Sequence, residues 1–231
     1  HPVCRQGVFK LLKPGIRARL EEDLRLLGAL GEFLDEDCAR YHLPRLDYRE
    51  TFDTIRRLLL HEVRLDEEQR HLAEAARLYR AMDWVTIPAL FPFCSSRVTA
   101  MQRLSGTKLA ETSPASGRST HATARVIAEA LVAAPLFSTR PAALFHADPH
   151  AGNLLLTPDG RVGILDWSLA GRLQKTERVA FVQLVLGGLE MNLPRMAEAV
   201  QVLARQAAEP TALQDILHQS LRELRWGTSF D

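Results

Sequence analysis

The chain is poor in cysteine, in lysine and in net charge, and it has no long apolar run. Its three cysteines, Cys4, Cys38 and Cys94, lie far apart without paired spacing. That excludes a disulfide scaffold and a cysteine-based zinc site, and it fits a reducing, cytoplasmic setting. No stretch approaches the roughly 18 apolar residues of a membrane span, and no signal peptide is legible. The best candidate, Val179 to Leu189, is too short and contains Gln183. A formal net charge of +1 and a pI near 8.0 exclude a strongly basic nucleic-acid surface, and the many arginines alternate with acids along apparent helices. Lysine is so scarce, four against 25 arginines, that a lysine inside a strand stands out. The chain opens on His1, almost directly on a strand, and is expected to be part of a longer one. With 231 residues, 46% of them hydrophobic, it can bury a sizeable core as one domain or as two lobes.

What is present is a fixed rhythm of metal-capable and proton-accepting side chains. Leu144 to Asn153 reads L-F-H-A-D-P-H-A-G-N, and Gly163 to Ser168 reads G-I-L-D-W-S. Asp148 precedes Asn153 by five positions and Asp166 follows Asn153 by thirteen. This is the H-x-D-x-x-x-x-N then D spacing of a phosphoryl-transfer loop. Such chemistry asks little covalent help of a protein; it needs positioning, charge neutralisation and one oriented nucleophile. The carboxylate of Asp166 and the amide oxygen of Asn153 are hard donors suited to Mg²⁺, which leaves Asp148 as base or orienter.

The surrounding pattern supports that geometry. Ala143 to Phe145, Leu154 to Leu156 and Val162 to Leu165 are short apolar runs, and Thr157-Pro158-Asp159-Gly160 is a turn signal between the last two. A hairpin there would bring Asn153 beside Asp166. One rival is a hydrolytic zinc cluster of His146, Asp148 and His150, which an extended segment would put on one side. Pro149 disturbs that alternation, and no other His or Cys motif completes a ligand set.

The H-A-D-P-H-A-G-N and L-D-W-S motifs resemble the H-A-D-P-H-P-G-N and L-D-F-G of the ABC1/UbiB/ADCK family of atypical kinases. The resemblance implies an α+β, two-lobed protein-kinase-like fold. Residues 1–103 would form an incomplete small lobe with a helical insert, and residues 104–231 a mainly helical large lobe. Val8 to Ile16, V-F-K-L-L-K-P-G-I, is similar to the family's V-A-V-K-V-x-x-P-G-I, which implies that Lys10 contacts nucleotide phosphates; by itself an edge-strand lysine is equally ordinary. The family's E-x-D-x-x-x-E-A-x-N element implies that Glu68 pairs with Lys10. Glu62 matches its first Glu, a member of a regulatory network with an N-terminal K-x-G-Q segment. That segment and an alanine-rich nucleotide loop are expected before His1. Arg64, Gln69 and His71 depart from the Asp, Ala and Asn of the element. Gln102 to Gly106 resembles an adenine-receiving hinge with Gln102 for Glu, which implicates Gln102 and Leu104; the residues alone fit a plain linker equally well.

For the remaining elements, periodicity predicts a helix from Ile16 to about Leu34 and a second from Tyr48 to Leu60 that continues to Tyr79, no Pro or Gly intervening. Strands are expected at Val85 to Leu90 and Val98 to Met101, a loop from Lys108 to Arg118, a central helix from His121 to Ala134, and a helix from near Thr176. Further helices are expected over Pro194 to Arg225, with fraying from Trp226. No A-P-E element follows Asp166, so a peptide-docking platform is not expected. The function implied is ATP- and Mg²⁺-dependent phosphoryl transfer or ATP hydrolysis linked to quinone or isoprenoid lipid metabolism. Its partners would be a nucleotide and lipid or quinone-biosynthesis proteins, with at most peripheral attachment at the inner membrane. The alternatives are a small-molecule phosphotransferase of the aminoglycoside or choline kinase type and a nucleotide-binding pseudokinase scaffold.

Overall fold

A computed structural model describes residues 6–44, 46–111, 120–204 and 213–218. The expected fraying from Trp226, and the part of the expected loop at 112–118, lie outside these residues. The chain divides into two compact units, one drawn from His1–Ala130 and His146–Gly171, the other from Leu131–Phe145 and Arg172–Asp231.

In the first unit, strand β1 (Gly7–Leu11) pairs antiparallel with β3 (Val98–Gln102), with Lys10 opposite Thr99. The Lys13-Pro14-Gly15 break follows β1, and Gly15, at φ 73°, turns the chain into helix α1 (Ile16–Asp37). Helix α2 (Tyr48–Glu62) starts on Asp47, whose side chain accepts from the Glu50 N–H at 2.7 Å. α1 packs on α2 at Gly31, where a Cβ would sit 3.1 Å from the Phe52 ring and 3.2 Å from Arg49 Cα. Even an alanine methyl there would require α2 to give by a few tenths of an ångström, and a larger side chain more.

The expected continuous helix from Tyr48 to Tyr79 is two helices. The chain leaves helical geometry at Val63 and Arg64, and α3 runs Leu65–Leu78. Its start signal is Asp66-Glu67-Glu68, acids that favour a helix N-terminus. What decides the break is burial: Leu65, Glu68, Leu72 and Ala75 form one buried stripe, whereas α2 buries no residue. The strand expected at Val85 to Leu90 is also shorter. Only Val85–Thr86 (β2) is strand, and Leu90 makes a single bridge to Met101. Pro88, fully buried, has no N–H to donate to a ladder.

The hairpin forms as expected. β6 (Leu154–Leu156) and β7 (Val162–Ile164) pair antiparallel with Leu154 opposite Ile164. β2 adds parallel to β7, and β4 (Thr107–Lys108), which the sequence did not disclose, adds antiparallel to β6. Val162, Ile164, Trp167 and Leu65 are almost wholly removed from water and anchor this core.

Tyr79 closes the core beyond α3, its hydroxyl donating to the Ala130 carbonyl at 2.9 Å. Burial pushes its phenol from the ordinary 10.0 up to about 12. Between those values the unfolded chain releases a proton that the fold retains, so stability falls as pH rises across the interval. The loss is on the order of 2–3 kcal/mol. Thermal unfolding measured below pH 10 and again near pH 12 should show a smaller drop for Tyr79→Phe than for wild type. Equal drops would contradict the assignment.

In the second unit, β5 (Ala142–His146) pairs with β8 (Ala170–Gln174). Sequence reading passed over β8. Helix α4 (Thr120–Ala128), which belongs to the first unit, leads through a wider π-helical turn, Glu129–Ala133, into the short α5 (Ala134–Leu136), so the single helix expected from His121 to Ala134 is interrupted. Pro135, with no N–H for the regular ladder, lies at the start of α5. α6 (Lys175–Leu189) opens on a reciprocal Gln174–Glu177 capping box. It packs against α7 (Leu193–Ala204) at Gly187, where a Cβ would meet Met196 Cγ at 2.9 Å. Residues 213–218 are helical.

Candidate functional site

Alternation along β1 turns Lys10 inward, where its Nζ lies 2.9 Å from Glu68 Oε1 and 3.4 Å from Asp166 Oδ1. The two acids come from α3 and from the loop after β7, 58 and 156 positions away. Burial alone would lower the Lys10 pKa, but the charges of Glu68 and then Asp166 more than offset it, and the ammonium is held above its ordinary range. Glu68, 3% exposed, is pushed up by burial more than Lys10 pulls it down, and its Oε2 has no partner among the described residues. At Asp166 the balance is reversed. Burial opposes the charge, but Lys10 and hydrogen bonds from Ser168 outweigh it and hold the carboxyl below its usual value.

The β6–β7 hairpin carries the other polar groups. The Leu165 N–H donates to the Asn153 carbonyl at 2.8 Å, which extends the ladder one step and sets Asn153 next to the residue before Asp166. Asn153 Nδ2 donates to the Asp148 carbonyl at 3.2 Å, so its amide oxygen is turned away from that contact. Asp166 sits at φ 48°, a region sparsely used by non-glycine residues and tolerated best by Asn and Asp.

His146 is buried against Trp167, ring centroids 4.8 Å apart and edge to face. Its Nδ1 accepts from the Asp148 N–H at 3.2 Å, so Nε2 carries the proton and donates to the Leu165 carbonyl at 3.0 Å. Both ring nitrogens are therefore engaged. Asp148 keeps a half-exposed carboxylate with His150 Nε2 3.7 Å from Oδ2. His150 Nδ1 accepts from the Gly152 N–H at 3.0 Å, and a Cβ on Gly152 would lie 2.8 Å from that ring. Among the described residues, no group of three or more His, Cys, Asp or Glu side chains is arranged to hold a metal ion, which overturns the rival zinc cluster. One carboxylate and one amide oxygen still fit Mg²⁺, which takes few protein ligands and shares its sphere with phosphate and water.

Gln102 and Leu104 lie at the exit of β3. The Gln102 N–H donates to the Ala89 carbonyl at 2.8 Å and the next residue's N–H to the Gln6 carbonyl at 2.9 Å, which ties the exit to both neighbouring segments. Leu104 packs toward the hairpin that bears Asn153 and Asp166. A Cβ at Gly163 would come 3.1 Å from its Cδ1.

Residues 5–200 match the ABC1 atypical kinase-like domain. The chain belongs to the ABC1 family. Among its ABC1 relatives is an uncharacterized aarF domain-containing protein kinase of the Arabidopsis thaliana chloroplast, 33% identical over 174 residues, covering 72% of this chain and 31% of the relative. Another is the probable protein kinase UbiB of Aeromonas salmonicida, 25% identical over 240 residues, covering 96% of this chain and 43% of the relative. A Mycobacterium tuberculosis protein, Rv3197, solved in complex with erythromycin, superposes with a TM-score of 0.62 at 19% identity over 94% of this chain and 55% of its own. The fold is thus α+β and kinase-like. The chain spans about a third to less than half of the curated relatives named here.

Three ABC1 positions proved informative where the chain departs from the family pattern or goes beyond it. Gln69 Nε2 donates to Thr99 Oγ1 at 2.9 Å and binds α3 to the strand opposite Lys10. His71 Nδ1 donates to the Trp167 carbonyl at 3.1 Å, and Ser168 Oγ donates to Glu62 Oε1 at 3.0 Å. Of these, Gln69, His71 and Ser168 have no expected place in the site, whereas Glu62 is expected only as the first Glu of the family element. The available signal was helical spacing, since His71 lies three positions after Glu68 and shares its face.

Proposed function

We propose that this ABC1 domain binds ATP with Mg²⁺ and transfers its γ-phosphoryl group, or hydrolyses it, as an atypical kinase or ATPase. The observation that carries this is the convergence of Lys10, Glu68 and Asp166 from three distant segments, with Asn153 fixed beside them. Lys10 is the phosphate contact and Glu68 fixes its ammonium. Asn153 and Asp166 hold the metal, and bound Mg²⁺ supplies neutralisation of the phosphate charge. Asp148 accepts the proton of the nucleophile or orients it. Gln102 and Leu104 are the adenine hinge, with residues 1–103 as a partial small lobe and 104–231 as the large one.

The acceptor on this reading is small or lipid-like and belongs to quinone or isoprenoid lipid metabolism. Two things support it: a relative named UbiB, and the brevity of the segment from Asp166 to α6, which leaves no room for a peptide platform. No helix among the described residues is long and apolar enough to cross a membrane, and the lipid encounter proposed for this segment is a peripheral one. Radiolabelled ATP offered to the full-length protein with a peptide library, and separately with membrane lipid extract, tests the acceptor. Labelled lipid or slow phosphate release, dependent on Asp148, is the expected result. Rapid Asp148-dependent labelling of peptides would restore an ordinary protein kinase.

A further inference from the structure

Three consecutive residues of the loop that carries Asp166 are each tethered to the α2–α3 corner or to the lysine that α3 braces. Asp166 faces Lys10, which Glu68 of α3 holds. The Trp167 carbonyl accepts from His71 of α3. Ser168 Oγ donates to Glu62, the last residue of α2, across 106 positions of sequence. Ser168 also reaches back along its own loop, its N–H donating to Asp166 Oδ1 at 3.2 Å. The loop therefore has contacts to spare, and Asp166 needs them. A non-glycine residue at φ 48° stays there only when its surroundings over-determine it.

The Ser168 hydroxyl separates a specific role from a casual contact. A glycine at this position, as in the L-D-F-G pattern, would supply the same N–H to Asp166 but nothing to Glu62. Ser168 is buried, so its hydroxyl has little water to turn to, and Glu62 answers it. Glu62 in turn sits at the break between α2 and α3, where tertiary burial rather than local sequence sets the geometry. α1 packs against α2, so the whole helical insert reaches the site through this corner.

We propose that Ser168, Glu62 and His71 are positioning residues that hold Asp166 in its metal-binding conformation, and that the α2–α3 corner thereby sets the affinity of the site for a divalent cation. The cation part rests on the nucleotide reading above; the positioning part does not. The test uses the full-length protein, ADP and Mg²⁺, with the variants Ser168→Ala, Glu62→Ala, Glu62→Gln and the double alanine. The gain in ADP affinity on adding Mg²⁺ should fall roughly tenfold in each alanine variant, as it does when an outer partner of a metal ligand is removed. It should fall no further in the double variant and stay near wild type in Glu62→Gln, which keeps an acceptor oxygen. Without any ligand, amide hydrogen exchange at Trp167 and Ser168 should rise in the alanine variants and not in Glu62→Gln. Unchanged exchange in the alanine variants, or additive losses in the double, would overturn the proposal. A wild type that gains nothing from Mg²⁺ would sink the nucleotide reading instead, and exchange at Trp167 and Ser168 would then decide the positioning role by itself.

Discussion

Asp166→Asn in the full-length protein is expected to weaken ADP binding in the presence of Mg²⁺ by about a hundredfold or more while leaving the fold in place. Changing an outer partner of a metal ligand already costs about 10–100-fold, and this substitution removes the one carboxylate proposed to touch the metal. The fold survives because asparagine is among the few side chains that accept the positive φ found here. It also keeps an oxygen for the Ser168 N–H. What is lost is the charge that faces Lys10 at 3.4 Å and would face the cation. Calorimetric titration of ADP with and without Mg²⁺ reads the effect. Equal affinity in both conditions for wild type would favour a pseudokinase scaffold.

Asp148→Asn is expected to lower phosphoryl transfer or ATP hydrolysis by about 10²–10⁴-fold, the range for loss of a general base, with nucleotide affinity nearly unchanged. Its backbone is already committed, the N–H to His146 Nδ1 and the carbonyl to Asn153 Nδ2, and neither contact depends on the side chain. Only the half-exposed carboxylate is free to meet a nucleophile. Single-turnover assays beside binding titrations separate the two quantities. A fall in affinity as large as the fall in rate would move Asp148 from the nucleophile to the nucleotide.

The site was legible where chemistry and local order coincide. Asp148, Asn153 and Asp166 stand at fixed spacing around a hairpin whose turn, Thr157 to Gly160, is written in turn-forming residues, and the hairpin forms with the register that spacing requires. Lys10 stood out by rarity and through the resemblance of its strand. The partners of the loop were not legible. His71, Gln69 and Ser168 are ordinary polar residues whose contacts lie 96, 30 and 106 positions away. No local pattern encodes such distances.

The same division runs through the fold. By itself the sequence determined the kinase-like motif set, the hairpin, the start of α2 at Tyr48 and the absence of any membrane-spanning run among the described residues, because each depends on residues within a few positions of one another. Only the tertiary structure decided where α2 ends and α3 begins, that Val85–Thr86 pairs with the distant β7, and that β4 and β8 exist at all. Local propensity at Val63 and Arg64 does not forbid a helix. Burying Leu65, Leu72 and Ala75 sets the break, because α3 packs against β3 and buries this stripe whereas α2 buries none of its residues.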